Sequence, residues 1–227
     1  MIQLNELRFR YPKSDFQLAM PQLEVAPGEK IAVVGPSGCG KTTLLNLIAG
    51  ISLPDSGTVE VEEQTISQMS DAERRNFRIA KIGMVFQQFE LVEYLDLKRN
   101  ILLPFLINAS LKLTKQVEQH AEDLAREMGL ADKLKRRPSQ LSQGEKQRCA
   151  ICRALVTEPK ILLADEPTGN LDPRNKKTIL ALMDGQVAKH NQTLIVVTHD
   201  LSILDGMDRT IDFEQFRSEV AVAGGQS

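Results

Sequence analysis

Apolar and polar positions along the chain sort into two kinds of run. "KIAVVG" (Lys30 to Gly35), "KIGMVFQ", "KILLAD" and "TLIVVT" are short, apolar and rich in β-branched residues. Runs of that length and make-up predict buried strands. "TVEVEE" alternates apolar with polar, the pattern of a strand with one wet face. The stretches between them carry helix signals. "KTTLLNLIAG" predicts a helix that stops at Gly50, and Ser70-x-x-Glu73 predicts a capping box that opens a short polar helix. Leu97 to Asn108 and Lys115 to Met128 predict two more, the second capped by Thr114 and closed by Gly129. Ser142 opens a helix that runs to about Val156. Asp172 with Pro173 behind it opens another, to about Lys189.

Strands alternating with helices imply a parallel sheet covered on both faces, an α/β fold. The helix-rich stretch between two of the core strands suggests an inserted helical lobe, set at roughly residues 88–158 of a single domain spanning 1–227. The tail, 218–227, is expected to fray. The chain has 227 residues, of which 42% are hydrophobic and 26% charged, the mix of a soluble domain with a real core. A formal net charge of −2 gives no bulk attraction to nucleic acid, and no nucleic-acid partner is expected. The start of the chain lacks the basic-then-apolar order of a signal peptide, and no apolar run approaches the ~18 residues that cross a bilayer. The expected location is the cytoplasm, with any membrane link made through a partner. Cys149 and Cys152 form a C-x-x-C, but no second pair or matching histidines accompany it. Both fall on one turn of an apolar helix, so they are expected to be small buried hydrophobes.

Gly35-Pro-Ser-Gly-Cys-Gly-Lys41-Thr42 fits the phosphate-binding pattern G-x-x-x-x-G-K-[ST] without mismatch, after a strand and at the opening of a helix. Gly35, Gly38 and Gly40 let the backbone wrap phosphate, and Ser37 and Cys39 complete the loop as small residues. The helix N-terminus offers free N–H groups and a partial positive charge. Lys41 is placed for the β- and γ-phosphates and Thr42 for Mg²⁺, with Thr43 beside a neighbouring phosphate. "ILLADEP" ends a strand in Asp165, suited to the Mg²⁺ shell, and Glu166, suited to polarise an attacking water. These elements alone fit many ATPases, some kinases and repair proteins.

The stretch "LSQGEKQR", Leu141 to Arg148, narrows the choice. It resembles the signature motif of ATP-binding cassette (ABC) ATPases. The resemblance covers essentially the whole chain: Tyr11, the phosphate loop, Gln87, the signature, "ILLADEPTGNLD" and His199 in "VVTHD" follow in the family's order. It implies a P-loop core with an antiparallel β subdomain and an inserted helical subdomain, with ATP and Mg²⁺ as cofactors. It also implies a head-to-tail homodimer in which Ser142 and the Gly144 amide contact the γ-phosphate bound to the other chain. In that picture Tyr11 stacks on adenine, and Gln87 joins Thr42 and Asp165 around the metal. His199 steadies Glu166 and the water, and Asp172 couples the two sites.

Two positions depart from the family pattern: Gln143 stands where glycine is usual, and Glu145 where glutamine is usual. The end of the chain also looks short, since a last strand is hard to find after "MDRTIDF". "LADEPTGNLD" and "GMVFQQFELV" look most like the lipoprotein-release and macrolide-exporter branch, whose members drive a separate integral membrane permease from the cytoplasmic face of the inner membrane. A cell-division cassette of the same family remains the alternative, as does a soluble cassette of DNA repair or translation. Phe89, Leu91 and Tyr94 are candidates either for the groove that takes the permease or for plain core packing.

Overall fold

A computed structural model describes residues 1–13 and 16–216; the side chains at positions 173, 174 and 202 lie outside the description, as does the tail expected to fray. Five strands form a parallel sheet: β3 (Lys30–Val34), β6 (Ile82–Val85), β7 (Ile161–Asp165), β8 (Thr193–Thr198) and β9 (Arg209–Asp212), in the order β6-β7-β8-β3-β9. A second sheet, order β2-β1-β4-β5, is antiparallel and built from β1 (Ile2–Arg10), β2 (Gln17–Val25), β4 (Ser56–Val61) and β5 (Gln64–Thr65). The helices are α1 (Lys41–Ile48), α2 (Asp71–Lys81), α3 (Leu97–Ile101), α4 (Leu103–Ile107), α5 (Lys115–Glu127), α6 (Gln143–Leu155) and α7 (Pro173–His190).

The central strands are buried on both faces because alternate side chains leave the sheet in opposite directions. Ile161, Leu163, Ile195 and Val197 join one core, shared with α1 and the antiparallel sheet. Their neighbours Leu162, Ala164, Leu194 and Val196 join the other, shared with α3, α5, α6 and α7. One sheet thus divides the apolar interior in two, and both divisions depend on the same strands.

Most predicted elements lie where the pattern placed them. Ser70 and Glu73 form the expected capping box, Thr114 caps α5, Gly129 takes a positive φ of 67°, and Asp172 accepts from the N–H of Asn175. Three expectations need correction. Leu97 to Asn108 is two helices, broken at Leu102, because Pro104 has no N–H to continue the ladder. The strand expected to reach Gln87 stops at Val85, so Gln87 sits on the loop beyond it. The missing last strand is "RTID" itself: β9 pairs parallel with β3, and the Asp208 carboxylate accepts from the Lys30 N–H at 2.8 Å to fix its start.

β1 and β2 carry no clean alternation, and the reason is a bulge. The β1–β4 register shifts between Asn5 and Arg8, and Glu6 has φ 48°. Gly57 is opposite, at φ 85°, where a Cβ would lie 2.4 Å from the Glu6 carbonyl oxygen; only glycine fits that approach.

Candidate functional site

The phosphate loop links β3 to α1. Gly40 is the N-cap of α1 at φ 109°, and no side chain caps the helix start. Its first N–H groups therefore face the loop without a carboxylate to satisfy them. At Gly38, φ 79°, a Cβ would meet nothing within 4 Å, so the main chain borders open space there. Lys41 is buried and its Nζ donates to the carbonyl oxygens of Gly35 (2.8 Å) and Pro36 (3.0 Å), with Cys39 Sγ at 4.0 Å. Its charge lies inside the curve of the loop.

A cavity of about 440 Å³ runs along this loop. Ser37, Gly38, Gly40, Lys41, Thr42 and Thr43 line one side, Gln87, Asp165 and Glu166 the other, and Tyr11 one end. Phe16, which the sequence reading missed, joins Tyr11 there, ring centroids 5.8 Å apart. Its signal was visible as the second aromatic of "YPKSDF". Tyr11 also packs edge-on against Phe9 and shares a hydrogen bond of 3.1 Å between its hydroxyl and that of Thr43.

Thr42 Oγ1 donates to Asp165 Oδ2 at 2.8 Å. Burial pushes the Asp165 carboxyl above its usual range; the Thr42 hydrogen bond and Lys41 pull it down, and Glu166 adds to the rise. A carboxylate held in that position is suited to a cation. The donor set is oxygen, and no cluster of three His, Cys, Asp or Glu side chains exists among the described residues. A hard ion that keeps water and phosphate oxygens in its shell, such as Mg²⁺, fits such a site; the residues to hold it are Thr42 and Asp165, with Gln87 at the cavity wall.

Glu166 has φ 45°, a left-handed conformation unusual for its type, and its N–H donates to Val197 O at 2.9 Å. This bend turns the side chain off the end of β7 toward β8. There Glu166 Oε1 lies 2.8 Å from His199 Nδ1, and Oε2 accepts from Thr198 Oγ1 (3.2 Å) and the His199 N–H (3.4 Å). Thr198, fully buried, is a second residue that the sequence reading did not single out.

The signature residues lie elsewhere. Ser142 is the N-cap of α6, with the full capping box to Glu145, and neither it nor Gly144 lines the phosphate cavity. Gly144 packs against Asn175, whose side chain bonds Asp172 Oδ2 at 2.5 Å. α6 is nonetheless tied to the loops after β6 and β7, and those two loops are tied to each other. Gln147 Nε2 donates to Pro167 O at 2.6 Å, Arg153 donates to the carbonyls of Phe89 (2.6 Å) and Glu90, and Asn170 Nδ2 donates to Gln87 O at 2.8 Å. Phe89 and Glu90 both have positive φ, 57° and 49°, so Arg153 holds a strained loop. Of the partner-groove candidates, Phe89 is buried, Leu91 packs against the second core, and Tyr94 is 77% exposed.

Comparison with known proteins agrees with this geometry. A family model described as "ABC transporter" matches residues 18–169. A lipoprotein-releasing system ATP-binding protein of Chromohalobacter salexigens is 40% identical over 86% of this chain and 82% of its own. A macrolide export ATP-binding/permease protein of Rhodopirellula baltica is 39% identical over 93% of this chain, which spans 31% of that protein. A dimeric ATP-binding cassette solved in a post-hydrolysis state with ADP and phosphate superposes with a TM-score of 0.84 at 30% identity, over 94% of this chain and 95% of that one. No helix among the described residues is long and apolar enough to cross a membrane. The chain therefore belongs to the ATP-binding cassette transporter family, as an ATP-binding and ATP-hydrolysing subunit.

Proposed function

We propose that this chain is the motor of a transporter of the lipoprotein-release or macrolide-export type, driving a separate integral membrane permease through ATP-dependent homodimerisation. The names of its relatives support the branch. The observation that carries the dimer is the separation of two phosphate-binding helix starts: α1 opens onto the cavity and α6 does not. One chain thus presents half a site twice. Ser142 and the Gly144 amide complete the partner chain's cavity, and Asp172, which braces Asn175 against Gly144, links the two halves. The subunit sits on the cytoplasmic face of the inner membrane, held there by the permease.

Within the cavity Tyr11 and Phe16 receive the adenine face, and the loop N–H groups with Lys41 hold the phosphates. Thr43 shares its hydroxyl with Tyr11 and joins them to the loop. Mg²⁺ held at Thr42, Asp165 and Gln87 would neutralise phosphate charge. Glu166 accepts the proton of the attacking water, and His199 with Thr198 fixes the orientation of its carboxylate. The permease is expected in an apolar groove of about 390 Å³ between α2, the edge strand β6 and α4, lined by Met84, Leu103, Pro104 and Ile107 and flanked by Arg75, Arg78 and Arg153. Ile107 is 69% exposed, which suits a partner surface. The cationic rim suits an amphipathic helix with an acidic end.

Mixed dimers test the reading. Lys41→Ala and Ser142→Ala homodimers should each be nearly inactive. Mixed, they form dimers with one intact site, and the mixture should regain ATPase activity. No recovery across ratios, with mixed dimers confirmed, counts against action in trans.

A further inference from the structure

The start of α6 carries a carboxylate where the family pattern has an amide, and that carboxylate is in direct contact with the serine expected to meet phosphate. Glu145 Oε2 accepts from the Ser142 N–H at 2.8 Å and from Ser142 Oγ at 3.0 Å. Its other oxygen, Oε1, lies 3.2 Å from Lys133 Nζ. Lys133 comes from the single turn Ala131–Lys133 that follows α5. The Lys133 and Glu145 side chains are 20% and 17% exposed, so this pair is better shielded than the Asp71–Arg75 pair on α2.

Glu145 creates two obstacles to an anion. A serine hydroxyl has one proton to donate, and here it points to Glu145. A phosphate oxygen that takes this proton must also approach the negative charge of Glu145. Burial raises the Glu145 pKa, but the hydrogen bonds from Ser142 and Lys133 outweigh it and hold the group below its ordinary range, so it is charged at neutral pH. Lys133 answers the second obstacle. Its ammonium, which also lies 3.4 Å from Asp132 Oδ2, offsets the Glu145 charge at Oε1, the oxygen that does not hold Ser142. The nearby Lys146 borders a different cavity, with Gln88, Glu90 and Glu93.

We propose that Lys133 and Glu145 are positioning residues for the phosphate contact of Ser142, with Lys133 neutralising Glu145 so that the helix start can accept an anion. This rests on the reading of Ser142 as a phosphate contact in trans. A purely structural pair would predict something different. Removing either member of an ion pair breaks the same bridge, so both variants would lose stability and ATP-driven association together. Under the proposal the two variants differ in sign. Lys133→Met leaves an uncompensated charge beside the phosphate, while Glu145→Gln removes that charge and keeps an acceptor for the Ser142 N–H.

The experiment measures the ATP concentration for half-maximal dimerisation by light scattering, in a Glu166→Gln background that slows turnover. Lys133→Met should raise that concentration by about tenfold, the effect of about 1.4 kcal/mol of unbalanced charge. Glu145→Gln should leave it unchanged or lower it, and the double variant should match Glu145→Gln. Lys133→Arg should keep the parental value, and it covers the case in which the methionine variant fails to fold. A parental value for a folded Lys133→Met, or an equal rise in Glu145→Gln, overturns the proposal. Ser142→Ala separates the two layers. If it leaves dimerisation unchanged, the trans reading fails and the proposal with it. If it abolishes dimerisation while Lys133→Met has no effect, only the proposal fails.

Discussion

Glu166, proposed as the general base, is held in an unusual conformation. Its φ of 45° is unfavourable for a non-glycine, and three contacts from Thr198 and His199 hold the result in place. Strain held by surrounding bonds is a mark of functional positions. Glu166→Gln is nearly isosteric and should keep ATP binding and ATP-dependent dimerisation. Its turnover should fall on the order of 10²–10⁴-fold, the usual contribution of a general base; a coupled assay of phosphate release checks this. The cysteines behave in the opposite way. Burial pushes the Cys149 thiol up to about 12 and raises Cys152 well above its ordinary value. At pH 8 the thiolate fraction at Cys149 is on the order of 10⁻⁴, and thiolate is the reactive form. Cys39 is also buried. Native protein should therefore resist iodoacetamide up to about pH 9 and expose three thiols on unfolding. Mass spectrometry that finds a labelled native Cys149 would contradict the core role.

At the scale of elements, α6 is the hub. Its N-terminus carries Ser142, its middle donates to Pro167 through Gln147, and Arg153 near its end holds the loop after Gln87. It can do this because it lies close against β6. Gly83 permits the approach, since a Cβ there would come within 2.4 Å of the Ala154 carbonyl oxygen. Gly83→Ala must push helix and strand apart, at about 1–3 kcal/mol. For a chain of this size that lowers Tm by roughly 2–12 °C. Gly185→Ala is the control. It lies exposed in α7 with nothing near its Cβ position, and it should raise stability by about 0.5–1 kcal/mol through helix propensity. Thermal melts of both variants test whether close approach, rather than glycine itself, sets the effect.

For the whole molecule the question is how a site on one edge of the sheet reaches a membrane partner. The apolar groove lies on the far side of β6 from the phosphate cavity, and Arg153 borders it while holding the strained loop that follows Gln87. On the proposed reading, one side chain and one loop lie between the groove and the cavity. Ile107→Asp, on the groove rim, should abolish co-purification with the membrane subunit and leave ATP binding intact, because Ile107 belongs to neither core. Tyr94→Asp should have little effect on either, since Tyr94 lies outside the groove lining. Normal co-purification of a folded Ile107→Asp would move the partner surface elsewhere.

Much of this was determined by sequence alone. The buried strands announced themselves because a strand covered on both faces runs apolar through its interior, as in Ile161–Ala164 of β7 and Leu194–Val197 of β8. The caps at Ser70, Thr114 and Ser142 are local chemistry and need no fold to be read. The phosphate loop, the Asp165–Glu166 pair and the signature are contiguous motifs for the same reason. Other features exist only in three dimensions. The bulge at Glu6 broke the alternation that would have revealed β1, and β9 shows one buried side chain in four because it is an edge strand set by pairing with β3. Phe16, Thr198 and Asn170 lie beside or within the motifs "YPKSDF", "VVTHD" and "ILLADEPTGNLD", but only the fold shows what they touch. Arg153 reaches the loop after Gln87 across a long stretch of chain, and nothing in its neighbours signals it. The pairing of Lys133 with Glu145 is of the same kind. A capping box is written in four consecutive residues, but the cation that balances it comes from a turn before the motif, and packing alone brought the two charges together.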